Sequence, residues 1–175
     1  GFLKENSYIF ALVVLIIFAA IADSSFLKIQ NLMNILRQTS IIGIITIGMT
    51  FVIISGEFDL SVGSVLALVG GVIITLQNLG LSIFMSIIAG VIVGMAAGLI
   101  NGLIVAKAKL PSFIVTLSTM TIARSVIIYL ADGSSIIGQM NPSFTIIGNG
   151  DIGIIPIPAI IFLVMIIIFG FILNK

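Results

Sequence analysis

Two carboxylates two residues apart, Glu57 and Asp59, sit in the stretch Gly56-Glu57-Phe58-Asp59-Leu60-Ser61-Val62-Gly63-Ser64. Apolar runs, residues 41–54 and 60–76, flank them. A charge beside bilayer-length hydrocarbon is costly unless water, a partner or a headgroup receives it. Two compatible roles follow. Asp59 can cap a helix starting at Leu60, accepting its free N–H groups. The acidic pair can also border a path or gate for a polar solute. Four further positions carry polar chemistry inside apolar sequence: Asn101, Thr116, Arg124 and the pair Lys107 and Lys109 ahead of Pro111. The chain has no histidine and no cysteine. It therefore lacks the commonest general base and metal ligand, and all thiol chemistry. Gly148-Asn149-Gly150-Asp151 reads as the G-x-G-D of an intramembrane aspartyl protease. That chemistry needs two carboxylates sharing a proton, and no Tyr-Asp pair accompanies it here. No G-x-x-x-x-G-K-[ST] loop is present to cradle ATP.

The elements that must position these groups are membrane elements. Of the 175 residues, 60% are hydrophobic and 7% charged, with a mean hydropathy of +1.41. A water-soluble domain does not need that much apolar surface; an integral membrane protein does. A net charge of +1 leaves no basic footprint for nucleic acid.

Six spans are expected, giving an all-α, polytopic bundle with no β-sheet, because unpaired backbone cannot sit in lipid. The runs are residues 8–22, 41–54, 60–76, 81–106, 111–130 and 154–173. Between the first two, Phe26, Ile29, Met33 and Leu36 recur at helical spacing, with Lys28, Gln30, Asn31, Asn34 and Arg37 elsewhere around the turn. That pattern predicts an amphipathic helix, lying in the interface or leading straight into the next span. Residues 77–80 read as a tight uncharged turn, and residues 132–153 as a polar loop.

The fourth run carries Gly90, Gly94, Gly98 and Gly102, every fourth residue. Such a register makes a smooth groove against which another helix can pack closely. Asn101, beside the last of these, is expected to face protein or a pore, or to bond a neighbouring helix. Pro111 suits a helix start. The fifth run is rich in hydroxyls: Ser112, Thr116, Ser118, Thr119, Thr121 and Ser125. It also holds Arg124, which must face a partner, a cavity or the outer headgroups.

Lysine and arginine counts set the orientation. With the N-terminus cytoplasmic, Lys4, Lys107, Lys109 and Lys175 fall inside and the loop 132–153 outside. Lys28 and Arg37 are the exceptions. The acidic stretch then lies toward the cytoplasm, unless it dips back into the bilayer as a re-entrant turn. The loops 56–61 and 107–112 are expected to approach each other there. Glu57 and Asp59 on one face Lys107 and Lys109 on the other, an exposed pairing worth about 0–1 kcal/mol.

The stretch 56–64, the string Asn101-Gly102-Leu103-Ile104-Val105, residues 109–120 from Lys109-Leu110-Pro111-Ser112 to Met120, and Ile122-Ala123-Arg124 resemble ribose/xylose/galactose-type ABC importer permeases. The likeness covers nearly the whole chain. It departs from the family form at Glu57, where that form has glycine, and at Phe58, where it has isoleucine. Members of the family are longer, so residues 1–175 are expected to be a single transmembrane permease domain forming the N-terminal part of one. The resemblance implies a multi-pass permease subunit of the bacterial inner membrane, not an enzyme, that imports a monosaccharide or similar small polar solute. It implies no cofactor on the chain itself, ATP being bound by a separate cytoplasmic ATPase subunit. The other implied partners are a periplasmic or lipid-anchored sugar-binding protein, a second permease copy and membrane lipids. Glu57, Asp59, Ser61, Asn101, Lys107, Lys109, Pro111, Thr116 and Arg124 are the candidates for the solute path or its gate.

Other classes fit parts of the pattern. Paired carboxylates and broken helices suit an ion-coupled secondary transporter or channel. Glycine-rich spans alone suit a membrane scaffold without transport.

Overall fold

A computed structural model describes residues 7–138 and 142–174. Lys4 and Lys175, counted above for orientation, lie outside those residues. The order is α1 (Ser7–Ala22), α2 (Ile29–Ile54), α3 (Val62–Asn78), α4 (Ile83–Ala108), α5 (Ser112–Leu130), α6 (Pro142–Asn149), β1 (Asp151–Ile152), β2 (Ile155–Pro156) and α7 (Ile157–Leu173). The protein is an all-α membrane helix bundle. Three helices, α2, α4 and α5, are long and apolar enough to cross a bilayer, and α1, α3 and α7 are shorter apolar helices.

Each boundary has a local cause. Asp23 closes α1 and accepts the Ser25 N–H at 2.7 Å. The amphipathic segment does lead straight into the next span: both form the single 26-residue α2. At 1.5 Å per residue that is about 39 Å, longer than the roughly 30 Å hydrocarbon core. α2 stops at Gly56, whose φ of +80° lets Gly56 N–H bond Ile53 O and Glu57 N–H bond Val52 O, the Schellman arrangement. Gly80 ends α3 in the same way, through Gln77 and Leu76. Ser82 caps α4, its hydroxyl accepting the Met85 N–H at 3.3 Å. α4 closes on Lys109 in the left-handed region, and Pro111 occupies the N-cap of α5.

Two sequence expectations are corrected. The polar loop 132–153 contains the eight-residue helix α6. The chain also holds a sheet, though a minimal one: β1 and β2 pair antiparallel, Asp151 opposite Pro156 and Ile152 opposite Ile155. Gly153, at φ +66°, supplies the positive φ that a two-residue hairpin turn needs at its first central position. The argument against sheet applies to backbone exposed to hydrocarbon, and this hairpin belongs to a polar connection.

The chain forms two compact units. One comprises the residues up to Gly43 with those from Gly148 onward. Within it, α2 meets α7 where the Phe162 ring fills the place a Gly43 Cβ would occupy. The other, Ile44–Ile147, contains the packed set α3, α4 and α5. There Gly71 admits the Ile127 side chain, and Gly90 admits Ile73. Burial is inverted relative to a soluble domain. Among the described residues the buried hydrophobics are Val115 and Ala123, whereas Ser40, Ser61, Ser86, Asn101, Ser112 and Thr116 are all buried polar groups. Large apolar side chains cover the outside, as lipid-facing helices require. Small and hydroxyl residues between helices are the packing material of membrane bundles.

Candidate functional site

The interruption between α2 and α3 is the most polar place in the second unit. Seven residues, 55–61, leave the helical state there, and each freed backbone donor needs an acceptor if water is absent. The first two turns of α5 supply them. Phe58 N–H donates to Ser112 Oγ at 3.1 Å, and Leu60 N–H donates to Thr116 Oγ1 at 3.2 Å. Thr116 Oγ1 in turn donates to the Ser112 carbonyl at 2.8 Å. The acidic loop and the start of α5 are therefore joined, as the approach of loops 56–61 and 107–112 anticipated. The contact is not the expected charge pairing. Among the described residues, neither Lys107 nor Lys109 forms an ion pair with Glu57 or Asp59; the pair present is Arg37–Asp151. Both lysines are exposed.

Asp59 is also not the N-cap. α3 begins at Val62 with Ser61 in the N-cap position, and Ser61 gives no side-chain cap bond. Asp59 Oδ1 instead accepts from Ser61 N–H at 2.7 Å and from Ser61 Oγ at 2.6 Å. The carboxylate stabilises the bend before the helix, and the helical backbone angles of Ser61, φ −82° and ψ −14°, do not have the extended geometry of a side-chain cap. Ser61 Oγ then accepts from Asn101 Nδ2 at 3.3 Å, and Asn101 Oδ1 accepts from Thr119 Oγ1 at 2.5 Å. A continuous polar chain thus runs Asp59–Ser61–Asn101–Thr119, linking the loop, α4 and α5. Ser61 and Asn101 are 1% and 5% exposed, so the middle of the chain is buried, where low dielectric strengthens its bond, while Asp59 and Thr119 at its ends are half-buried.

This chain also sets the depth of the loop. Asn101 lies seven residues before the end of α4 at Ala108, about 10 Å along the axis. Ser61, bonded to it, is recessed by a similar distance from that end. α3 is correspondingly short: its 17 residues reach only about 25 Å.

A cavity of about 450 Å³ opens beside the recessed loop, lined among others by Glu57, Asp59, Gly98, Asn101, Gly102 and Thr116. An apolar cavity of about 340 Å³, walled by residues such as Met49, Val62 and Val69, shares Val52, Asp59 and Gly98 with it. The glycine register of α4 therefore divides in function. A Cβ at Gly90 would lie 2.6 Å from Ile73, and one at Gly94 would lie 3.5 Å from Val69. Nothing lies within 4 Å of such an atom at Gly98 or Gly102. The first pair packs against α3; the second pair keeps space open.

Glu57 is half-buried and lines the cavity. Pro111 is exposed and starts α5. Arg124 is exposed, on a face of α5 different from that of Ser112, Thr116 and Thr119, and among the described residues it has no ion-pair partner. Ser112 and Thr119 are network members that the sequence reading treated only as part of a hydroxyl-rich run. Their spacing with Thr116, at i, i+4 and i+7, marks a single helix face and was the available signal.

Comparison with known proteins decides the family. Residues 31–175 match the family described as branched-chain amino acid transport system / permease component. The chain belongs to that permease family. It is 39% identical over 160 residues to the ribose import permease protein RbsC of Haemophilus influenzae, covering 90% of this chain and 50% of that protein. It is 39% identical over 176 residues to the Bacillus subtilis ribose import permease protein RbsC, covering 100% and 55%. The xylose transport system permease protein XylH of Haemophilus influenzae is 40% identical over 139 residues, covering 79% and 37%. The chain spans about half the length of the ribose permeases it matches. No solved structure matches it. Irregular backbone at membrane depth is tolerated where it is buried in protein or lines a cavity.

Proposed function

We propose that this chain is the N-terminal part of the membrane-spanning permease subunit of a bacterial ATP-driven importer for a monosaccharide or similar small polar solute, and that the cavity beside residues 56–61 is part of the solute path. The class rests on the 39% identity to ribose import permeases across nearly the whole chain. The path rests on one observation: non-helical acidic backbone, with its donors bonded to α5 hydroxyls, bordering a cavity of about 450 Å³.

The division of labour follows from chemistry. Glu57 and the free oxygen of Asp59 accept hydrogen bonds from solute hydroxyls. Asn101, Ser61 and Thr119 hold Asp59 in place. Gly98 and Gly102 leave the volume a solute needs. The chain catalyses no reaction in this reading. ATP is bound by a separate cytoplasmic ATPase subunit, a periplasmic or lipid-anchored sugar-binding protein delivers the solute, and a second permease copy completes the path. The chain makes six passes of the inner membrane with its N-terminus inside, which places Lys107 and Lys109 at the cytoplasmic mouth and Arg37 and Asp151 outside.

Uptake by the assembled importer tests the assignment. ATP-dependent accumulation of labelled ribose or xylose is expected, and Gly102→Leu, which fills the cavity from a position with no packing neighbour, is expected to abolish it with the subunit still inserted. Transport of neither sugar, or full transport by Gly102→Leu, would refute the corresponding half of the proposal.

A further inference from the structure

The first unit contains a second polar cleft, unconnected with any residue singled out above for the path. It lies between the first turns of α2 and the β1–β2 hairpin, with a volume of about 400 Å³. This is inside the range of roughly 300–1,000 Å³ typical of small-molecule sites. Its polar wall is Gln30, Asn34, Arg37, Asn149 and Asp151; Ile29, Met33 and Ile154 form an apolar wall.

The polar wall is ordered by its own bonds. Arg37 Nη2 donates to Asp151 Oδ1 at 2.6 Å, and Arg37 Nη1 donates to Asn34 Oδ1 at 2.8 Å. The Arg37 side chain is 19% exposed and that of Asp151 is 43% exposed. The pair is thus held at the edge of water, not sealed in a core. Its hydrogen-bonding capacity is far from used. A guanidinium has five N–H donors and a carboxylate two acceptor oxygens; here two donors and one oxygen are engaged among the described residues, and Arg37 Nε has no acceptor. Gln30 and Asn149 add two more amides to the wall.

The charges decide the ligand class. One guanidinium and one carboxylate cancel, and the remaining polar liners are neutral amides. The cleft therefore favours neither an anion nor a cation. It suits a neutral molecule with many hydroxyls on one edge and C–H surface on the other. Carboxylate, guanidinium and amide take the hydroxyls; Ile29, Met33 and Ile154 take the C–H face.

We propose that this cleft is a monosaccharide-binding subsite, distinct from the cavity beside residues 56–61. The proposal takes its ligand class from the reading of the chain as a sugar permease. The Arg37–Asp151 pair also joins the hairpin to α2, so a ligand that bonds both partners holds the two elements together.

The test is saturation-transfer NMR of ribose on the full chain in lipid nanodiscs, with xylose as a second probe. The unmodified chain is expected to transfer saturation to ribose protons. Gln30→Leu and Asn149→Ala, which leave the ion pair intact, are each expected to weaken binding about tenfold, the scale of a lost hydrogen bond in a site built for it. Asp151→Asn is expected to weaken it further. The three cleft variants are expected to weaken binding equally in a Gly98→Leu background, where the cavity beside residues 56–61 is filled. If ribose and xylose bind and none of the three cleft variants changes the signal while Gly98→Leu removes it, the subsite is wrong and the path assignment stands. If neither sugar binds the unmodified chain, the subsite is wrong, and failed uptake in the transport assay then removes the sugar reading as well.

Discussion

At the residue scale the account turns on hydroxyls that accept backbone N–H groups in place of water. Thr116 is the sharpest case, being 3% exposed and bonded to Leu60 N–H and to the Ser112 carbonyl. Thr116→Val keeps shape and removes the acceptor, leaving a buried donor unsatisfied at about 1–3 kcal/mol. Thermal unfolding of the purified chain is expected to shift down for Thr116→Val and to stay near the unmodified value for Thr116→Ser; equal shifts for the two would remove the hydrogen bond from the explanation. Arg124 has the opposite character, exposed and, among the described residues, without an ion-pair partner. A guanidinium facing lipid alone is expensive, so in the assembled permease it is expected to meet polar groups or an aqueous path. Arg124→Leu is expected to insert normally and to lower uptake; unchanged uptake would count against that placement. The carboxylates of Glu57 and Asp59 were visible in the sequence as an anomaly. Their partners were not: sequence alone suggested a cap for Asp59, and the geometry instead ties it to the N–H and hydroxyl of Ser61, because α3 begins two residues later than the apolar run.

At the element scale, hydrophobic runs located the helices well because a bilayer fixes their length. The fusion of the amphipathic segment with its span into α2, and the ends of α3 and α4, follow from the absence of a breaker in one case and from Gly80 and Pro111 in the others. The small features in the loop 132–153 were not legible. α6 and the β1–β2 hairpin are too short to produce a periodic signal, and Gly153 marks a turn without saying what it joins. The α4 glycines show a further limit. Spacing announced one groove, whereas the structure uses Gly90 and Gly94 for packing and Gly98 and Gly102 for space, a difference set by where α3 begins. Substitution should separate the two. Gly90→Val is expected to destabilise the fold by about 1–3 kcal/mol through overpacking against Ile73. Gly98→Ala is expected to be neutral or stabilising by up to roughly 1 kcal/mol, from improved helix propensity. Unfolding of both variants in the same detergent reads the contrast, and equal losses would contradict it.

At the scale of the whole molecule, sequence and structure agree on an apolar helical bundle whose buried groups are polar and small. Hydropathy states that the chain belongs in a membrane. It does not state which groups face one another, because lipid-facing and helix-facing positions carry similar residues. Hence the polar chain Asp59–Ser61–Asn101–Thr119 emerges only from coordinates, although each member was in plain view. If the recessed loop and its cavity carry solute, a probe placed in the cavity must meet it. The absence of cysteine makes the direct measurement simple, since a single introduced cysteine is the one thiol on the chain. In the assembled importer, Gly102→Cys treated with a membrane-impermeant thiol reagent is predicted to label from the aqueous phase, to label more slowly when solute is present, and to lose uptake once labelled. Uptake that continues unchanged after complete labelling at Gly102→Cys would contradict the claim.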